Sequence, residues 1–257
     1  MTAAKERALW HSGVKSWDGE AKLSSELLSS REALERRDFR FFARELPSSE
    51  LWRLFAEFQD RVTYLDIETT GMGRGSDHIT TIVTYDGQIA RHFVHGQNLH
   101  EFPEYIHDAE ILVTFNGKSF DLPFIRRQFG IELDHVHLDL RYILKSVGLS
   151  GGLKKCERQL GLDRAELAEV DGFFAVLLWQ EYVRSGNPRA LETLLAYNFL
   201  DVINLELLMI AAYNRKIAGT PFADTHGLPP PRWQPGNPFS PDSGLIAELR
   251  ASPWNRY

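Results

Sequence analysis

The sequence predicts an α/β domain: a five-stranded mixed sheet with helices on both faces. Three observations lead there. Five short segments rich in β-branched and aromatic residues lie between residues 61 and 140, longer segments with helical spacing flank them, and one tight hairpin signal sits among strand–helix–strand passages. The first sixty residues read as a helical extension (1–60), the α/β domain as 61–218, and the remainder as a proline-rich tail (219–257).

In the extension, Leu9 to Asp18 reads as a short turn element anchored by Trp10 and Trp17, and Ser24 to Leu46 as one amphipathic helix. Within that helix, Arg36-Arg37-Asp38-Phe39-Arg40-Phe41-Phe42-Ala43-Arg44 suits phenylalanines in a core with solvated arginines. The same composition also suits a nucleic-acid or partner surface. Ser48 or Ser49 is expected to cap a following helix at Leu51 to Phe55.

The first strand, Arg61 to Thr69, is the pivotal one. Its period of two puts Tyr64, Asp66 and Glu68 on one face and Leu65 and Ile67 on the other. Two neighbouring carboxylates on a buried strand repel one another and lose hydration, which favours a divalent cation beside them; a strand end whose acids face water is the alternative. A glycine-rich turn then leads into Ile79–Tyr85, and Asp86-Gly87 turns the chain into Ile89–Val94. No phosphate-binding loop of the G-x-x-x-x-G-K-[ST] type is present. A short helix at Glu101–Asp108 precedes the fourth strand, Ile111–Phe115. The fourth strand enters a helix through Asn116-Gly117-Lys118-Ser119-Phe120-Asp121-Leu122-Pro123, where capping alone would account for Asp121.

The fifth strand is Val136–Leu140, and a basic helix follows at Leu153–Leu160, stopped by Gly161. Phe173–Val183 and Arg189–Lys216 are the long helices; in the second, Tyr197 and Asp201 lie one turn apart with Asn204 continuing the polar stripe. Proline density beyond Gly219 is expected to exclude regular helix or sheet.

Composition narrows the function classes. Hydrophobic content of 43% with 25% charged residues is that of an ordinary globular chain, and the net charge of -6 argues against wholesale nucleic-acid coating while leaving room for a local basic groove. Cys156, the only cysteine, rules out an intrachain disulfide and a cysteine zinc cluster. The start carries no apolar signal core, and no apolar run is read as approaching a membrane span, so no membrane partner and a cytoplasmic location are expected.

Taken together, Asp66-x-Glu68, Asn116 to Asp121 and Tyr197-x-x-x-Asp201 resemble, in order, the three motifs of a DEDD-type exonuclease of the ribonuclease-H-like superfamily. Tyrosine at 197 marks the DEDDy branch, since the DEDDh branch would place histidine where Ala196 stands. The resemblance is nearer still to bacterial YprB-type exonuclease domains, through Asn116 to Pro123, Gly152-Leu-Lys-Lys-Cys-Glu-Arg-Gln-Leu-Gly-Leu-Asp-Arg164 and Tyr197 to Leu205, and it covers about residues 60 to 213.

This resemblance implies strand order 3-2-1-4-5 and two divalent ions, Mg²⁺ or Mn²⁺. Asp66 would serve both ions, Glu68 and Asp201 would complete the first, and Asp121 would reach the second through water. Tyr197 would orient the attacking water. The implied activity is 3′ to 5′ exonucleolysis of single-stranded DNA or RNA with a free 3′ end. Asn116, Lys118, Lys154, Lys155 and Arg158 are candidate substrate contacts; solvated helix charges and a turn-closing asparagine are the plainer alternatives. Rival readings are a non-catalytic nucleic-acid or protein-binding module on the same fold, and an adaptor using the arginine-rich helix and the tail.

Overall fold

Helical periodicity in the first sixty residues resolves into α1 (Ala3–His11), α2 (Ser25–Glu35), α3 (Phe39–Glu45), a 3-10 turn at Ser48–Arg53 and the short α4 (Leu54–Glu57). The computed structural model describes residues 3–16, 25–72 and 75–251. It divides into one unit of residues 1–59 with 210–229 and a second of 60–209 with 230–257.

In the first unit the single helix expected over Ser24–Leu46 is broken. Arg37 adopts a left-handed φ of 52°, and the Asp38 carboxylate caps α3 by accepting the Phe41 N–H at 3.0 Å. Phe39 is buried while Arg36, Arg37, Arg40 and Arg44 are exposed, the arrangement of an amphipathic segment. The expected serine cap is also corrected: Pro47 holds the N-cap position with no side-chain cap. Trp10 packs edge-on against Phe222 at 5.8 Å, and Trp17 lies outside the described residues. Trp52 and Phe55 close on Tyr213.

The second unit holds the sheet, whose strands are β1 (Val62–Thr69), β2 (Ile79–Tyr85), β3 (Ala90–Val94), β4 (Ile111–Thr114) and β5 (Val136–Asp139), ordered β3-β2-β1-β4-β5. The strands β1, β2 and β3 form an antiparallel meander, whereas β4 and β5 run parallel to β1, so the sheet is mixed as expected. Parallel strands need crossovers. The chain supplies them as α5 (Phe102–His107) before β4 and α6 (Asp121–Phe129) before β5.

Leu65, Ile67, Ile82 and Leu112 form one core layer with Phe102 and Ile106 of α5 and Leu122, Phe124 and Ile125 of α6. After β5 come α7 (Leu140–Lys145), α8 (Leu153–Gln159), α9 (Gly172–Ser185) and α10 (Pro188–Ile217). A second core joins Phe174 and Leu178 of α9 to Leu194 and Leu195 of α10. Thr81 of β2 donates to Asn198 Oδ1 at 3.0 Å, pinning α10 to the sheet face opposite α6.

One expectation about apolar runs needs correction. An 18-residue window of α10 reaches a mean hydropathy of 1.6, long and apolar enough for a span, but 78% of it is buried inside the fold, the setting of a core helix. The tail is corrected too. The short α11 (Ala223–His226) belongs to the first unit, and α12 (Ser243–Ala251) forms between Pro241 and Pro253. The helix α12 buries Leu245 and Ile246 against the α9–α10 core. Between them the chain runs along α10, with Gln234 donating to Glu206 and Asn237 to the Ala196 carbonyl.

Candidate active site

Strand alternation sends Asp66 and Glu68 to the face that α10 covers, and helical spacing brings Asp201 towards them. Carboxylate oxygens of Asp66, Glu68 and Asp201 lie within 4.8 Å of one another. Glu68 and Asp201 are 8% and 4% exposed, while Asp66 is part-exposed. Asn198, three residues before Asp201, donates to Asp66 Oδ2 at 2.7 Å, so one helix both supplies an acid and fixes another.

The first residue of α6, Asp121, is 2% exposed, and its Oδ1 is a buried acceptor without a hydrogen-bond partner among the described residues. Its position depends on the preceding turn. Asn116 is left-handed (φ 66°), and Gly117 lies so close to β4 that a Cβ there would sit 2.2 Å from Thr114 Oγ1. The Asp139 carboxylate staples this turn, accepting the N–H groups of Asn116, Lys118 and Arg141 at 2.8, 3.1 and 3.0 Å.

Burial and mutual repulsion set the electrostatics. Burial first, then Asp121, Asp201 and Glu68, raises the Asp66 pKa well above the carboxylate range; Glu68 is raised by burial, Asp201 and Asp121. Burial lifts Asp121 to about 7, and lifts Asp201 to about 6 against the pull of Arg164. Tyr197, 6% exposed, is pushed upward by burial and by the neighbouring Asp201. Four acids that resist ionisation together, with a buried Asp121 oxygen that has no hydrogen-bond partner among the described residues, form a donor set that fits hard divalent cations.

A family profile described as the RNase_H superfamily matches residues 63–213, which encloses all of the sheet except Val62 and every acid of the cluster. The chain belongs to the RNase H superfamily. As a member of this nuclease-type superfamily, it carries the carboxylates compatible with metal binding that its fold brings together. It is similar to the uncharacterized protein YprB of Bacillus subtilis (strain 168), at 25% identity over 177 residues, 59% of this chain and 42% of the relative. The match thus spans less than half of that relative.

Among solved structures, one similar chain is the family B DNA polymerase of the hyperthermophilic archaeon Pyrobaculum calidifontis (TM-score 0.46, 18% identity, 65% of this chain and 27% of that one). Another is a nuclease in its apo form (TM-score 0.44, 18% identity, 63% of this chain and 75% of that one). Family membership rests on the profile match.

The sequence-derived substrate contacts of this RNase H superfamily member are placed unevenly. Lys118 is exposed on the Asn116 turn, and Asn116 Oδ1 accepts from Arg141 at 2.5 Å. Lys155 and Arg158 are exposed on α8. Lys154 is half-buried, its ammonium donating to the Ala168 carbonyl at 3.0 Å and to that of Val170, and it lies 5.7 Å over the Tyr197 ring.

Sequence reasoning also passed over two residues at the centre of the site. Arg164 is 6% exposed, donates from Nε and Nη2 to Glu157 at 2.5 and 2.7 Å, and its Nη2 forms an ion pair with Asp201 Oδ1 at 2.5 Å, off hydrogen-bond alignment. Glu157, fully buried, accepts also from Asn204 at 2.8 Å. The only signal was their presence in the Gly152–Arg164 stretch, because a loop separates them and no periodicity spans it.

Proposed function

We propose that the protein is a divalent-metal-dependent 3′ to 5′ exonuclease acting on single-stranded DNA or RNA with a free 3′ end. The convergence of Asp66, Glu68 and Asp201 oxygens within 4.8 Å carries the proposal. In this reading Asp66, Glu68 and Asp201 hold one Mg²⁺ or Mn²⁺ and Asp121 contributes to a second. When bound, the ions supply charge compensation and an activated water for in-line phosphoryl displacement.

The chain's own groups do the rest. Tyr197, held protonated by burial and by Asp201, is suited to donate a hydrogen bond and orient water rather than to remove its proton. Asn198 donates to Asp66 Oδ2, so the carboxylate keeps one orientation. Lys118, Lys155 and Arg158 are exposed cations suited to backbone phosphates, with Asn116 beside Lys118. Lys154, tied to two carbonyls, acts on Tyr197 in this reading. Residues 61–218 would form the catalytic domain, the helical extension and tail its flanks, and the single cysteine agrees with a cytoplasmic setting.

Digestion of matched DNA and RNA strands, each labelled at one end, with Mg²⁺ or Mn²⁺ and with chelator, is the test. Stepwise loss from the 3′ end is expected, abolished by chelator and by Asp66→Ala or Asp201→Asn. If both variants degrade substrate as fast as wild type, the site assignment is wrong. One observation favours the second reading, a non-catalytic module on the same fold: Arg164 already supplies a cation to Asp201. Calorimetry with Mn²⁺ separates the two, since a wild-type protein that binds no Mn²⁺ supports the module.

A further inference from the structure

A buried ion network stands behind the acid cluster. Glu157 is 0% and Arg164 6% exposed, and two hydrogen bonds of 2.5 and 2.7 Å join them in the planar, bidentate arrangement that only arginine provides. Asn204, one turn beyond Asp201 on α10, donates to the same Glu157 at 2.8 Å. The guanidinium is thereby held to both α8 and α10 and is not free to swing. From that fixed position Nη2 meets Asp201 Oδ1 at 2.5 Å, and the guanidinium carbon lies 5.6 Å from the centre of the Tyr197 ring.

Burying such a triad is costly in desolvation, and hydrophobic replacement often gives equal or greater stability. Fold stability is therefore a weak account of it. Its reach to one acid of the cluster and to the phenol beside that acid is a better one.

We propose that Arg164, mounted on Glu157 and Asn204, is a positioning residue that fixes the Asp201 carboxylate, and with it Tyr197, in the geometry that receives the divalent cation. The inference rests on the exonuclease reading above and names a part of its machinery that touches neither substrate nor metal. Ligand carboxylates depend on such outer partners, whose loss commonly weakens metal affinity about 10- to 100-fold.

Arg164→Lys is the informative variant. It keeps the positive charge, so the field at the cluster is nearly preserved, but a single ammonium cannot bridge Glu157 through two nitrogens while meeting Asp201. Calorimetric titration of substrate-free wild type and Arg164→Lys with Mn²⁺ should give at least a tenfold weaker affinity in the variant, at a near-wild-type melting temperature. Steady-state digestion of a labelled strand should lower kcat with KM for the strand unchanged, and excess Mn²⁺ should restore part of the rate.

If Arg164→Lys does not fold, Glu157→Gln, which keeps the arginine but loosens its mount, decides by the same titration. Wild-type Mn²⁺ affinity in a folded Arg164→Lys, or in Glu157→Gln where the former is unfolded, overturns the inference. Absence of Mn²⁺ binding in wild type overturns the exonuclease reading instead, and the inference falls with it.

Discussion

At the residue scale, the four acids have unequal standing. Asp66 faces Asp121, Asp201 and Glu68 together, and Asn198 holds it, whereas Asp121 lies outside the three whose oxygens converge. Asp66→Ala is therefore expected to lower kcat/KM by more than about 1,000-fold and Asp121→Ala by less, measured on one labelled strand at saturating Mn²⁺; the metal contribution at such sites is several kcal/mol. Equal losses would deny Asp66 its central place.

Tyr197→Phe removes only the hydroxyl. It should lower kcat by about 10- to 100-fold with the slope of its pH profile unchanged, because the phenol orients rather than titrates. Alternation put Asp66 and Glu68 on one strand face and helical spacing put Tyr197 and Asp201 on one helix face, whereas Asp121 by its own position read equally as a helix cap. The pairing of Arg164 with Asp201 was not legible in the sequence, since thirty-six residues, α9 among them, intervene.

At the element scale, the turn between β4 and α6 and the tail helix α12 carry contrasting lessons. The turn was legible: glycine at 117, proline in the first helical turn and an aspartate at its start form a strand-to-helix signature. Gly117→Ala would place its Cβ 2.2 Å from Thr114 Oγ1 and displace the segment bearing Asp121. About 1–3 kcal/mol of destabilisation is expected, read as a lower midpoint in urea, together with weakened activity.

Helix α12 was not legible, because proline density was read across the whole tail while residues 242–252 are free of proline. Leu245 and Ile246 are 8% and 6% exposed against the α9–α10 core. Leu245→Ala should cost about 2 kcal/mol or more of stability. An unchanged denaturation midpoint would mean that α12 does not contribute to that core.

At the scale of the whole molecule, the cluster ties stability to pH and metal. Asp66, Glu68, Asp121 and Asp201 all have pKa values raised by burial, Asp121 to about 7, so the folded state holds protons that the unfolded chain has released. Such groups lower stability as pH rises through that range. Burial lowers the pKa values of His92, His95 and His135, and that of His137 to about 4, which acts in the opposite sense below the usual histidine range.

The carboxylate effect therefore stands clear above about pH 6.5, where histidine is largely neutral in both states. In chelator, the melting temperature should fall between about pH 6.5 and 8 by the equivalent of at least about 1 kcal/mol, and Mn²⁺ should restore it. A flat profile that ignores Mn²⁺ would mean that the acids are not poised for a cation.

The sequence by itself determined the five strands and the two long helices after them, the strand face shared by Asp66 and Glu68, and the helix face shared by Tyr197 and Asp201. Those features follow from local periodicity and turn chemistry, which each segment carries within itself. Only the tertiary structure decided that Asp66, Glu68 and Asp201 meet within 4.8 Å, that Asn198 and Arg164 hold two of them, that Lys154 turns to carbonyls, and that the tail returns to pack a helix on the core. Each of these joins segments far apart in the chain, and which distant polar groups become partners depends on how buried surfaces close around them, a matter no local pattern encodes.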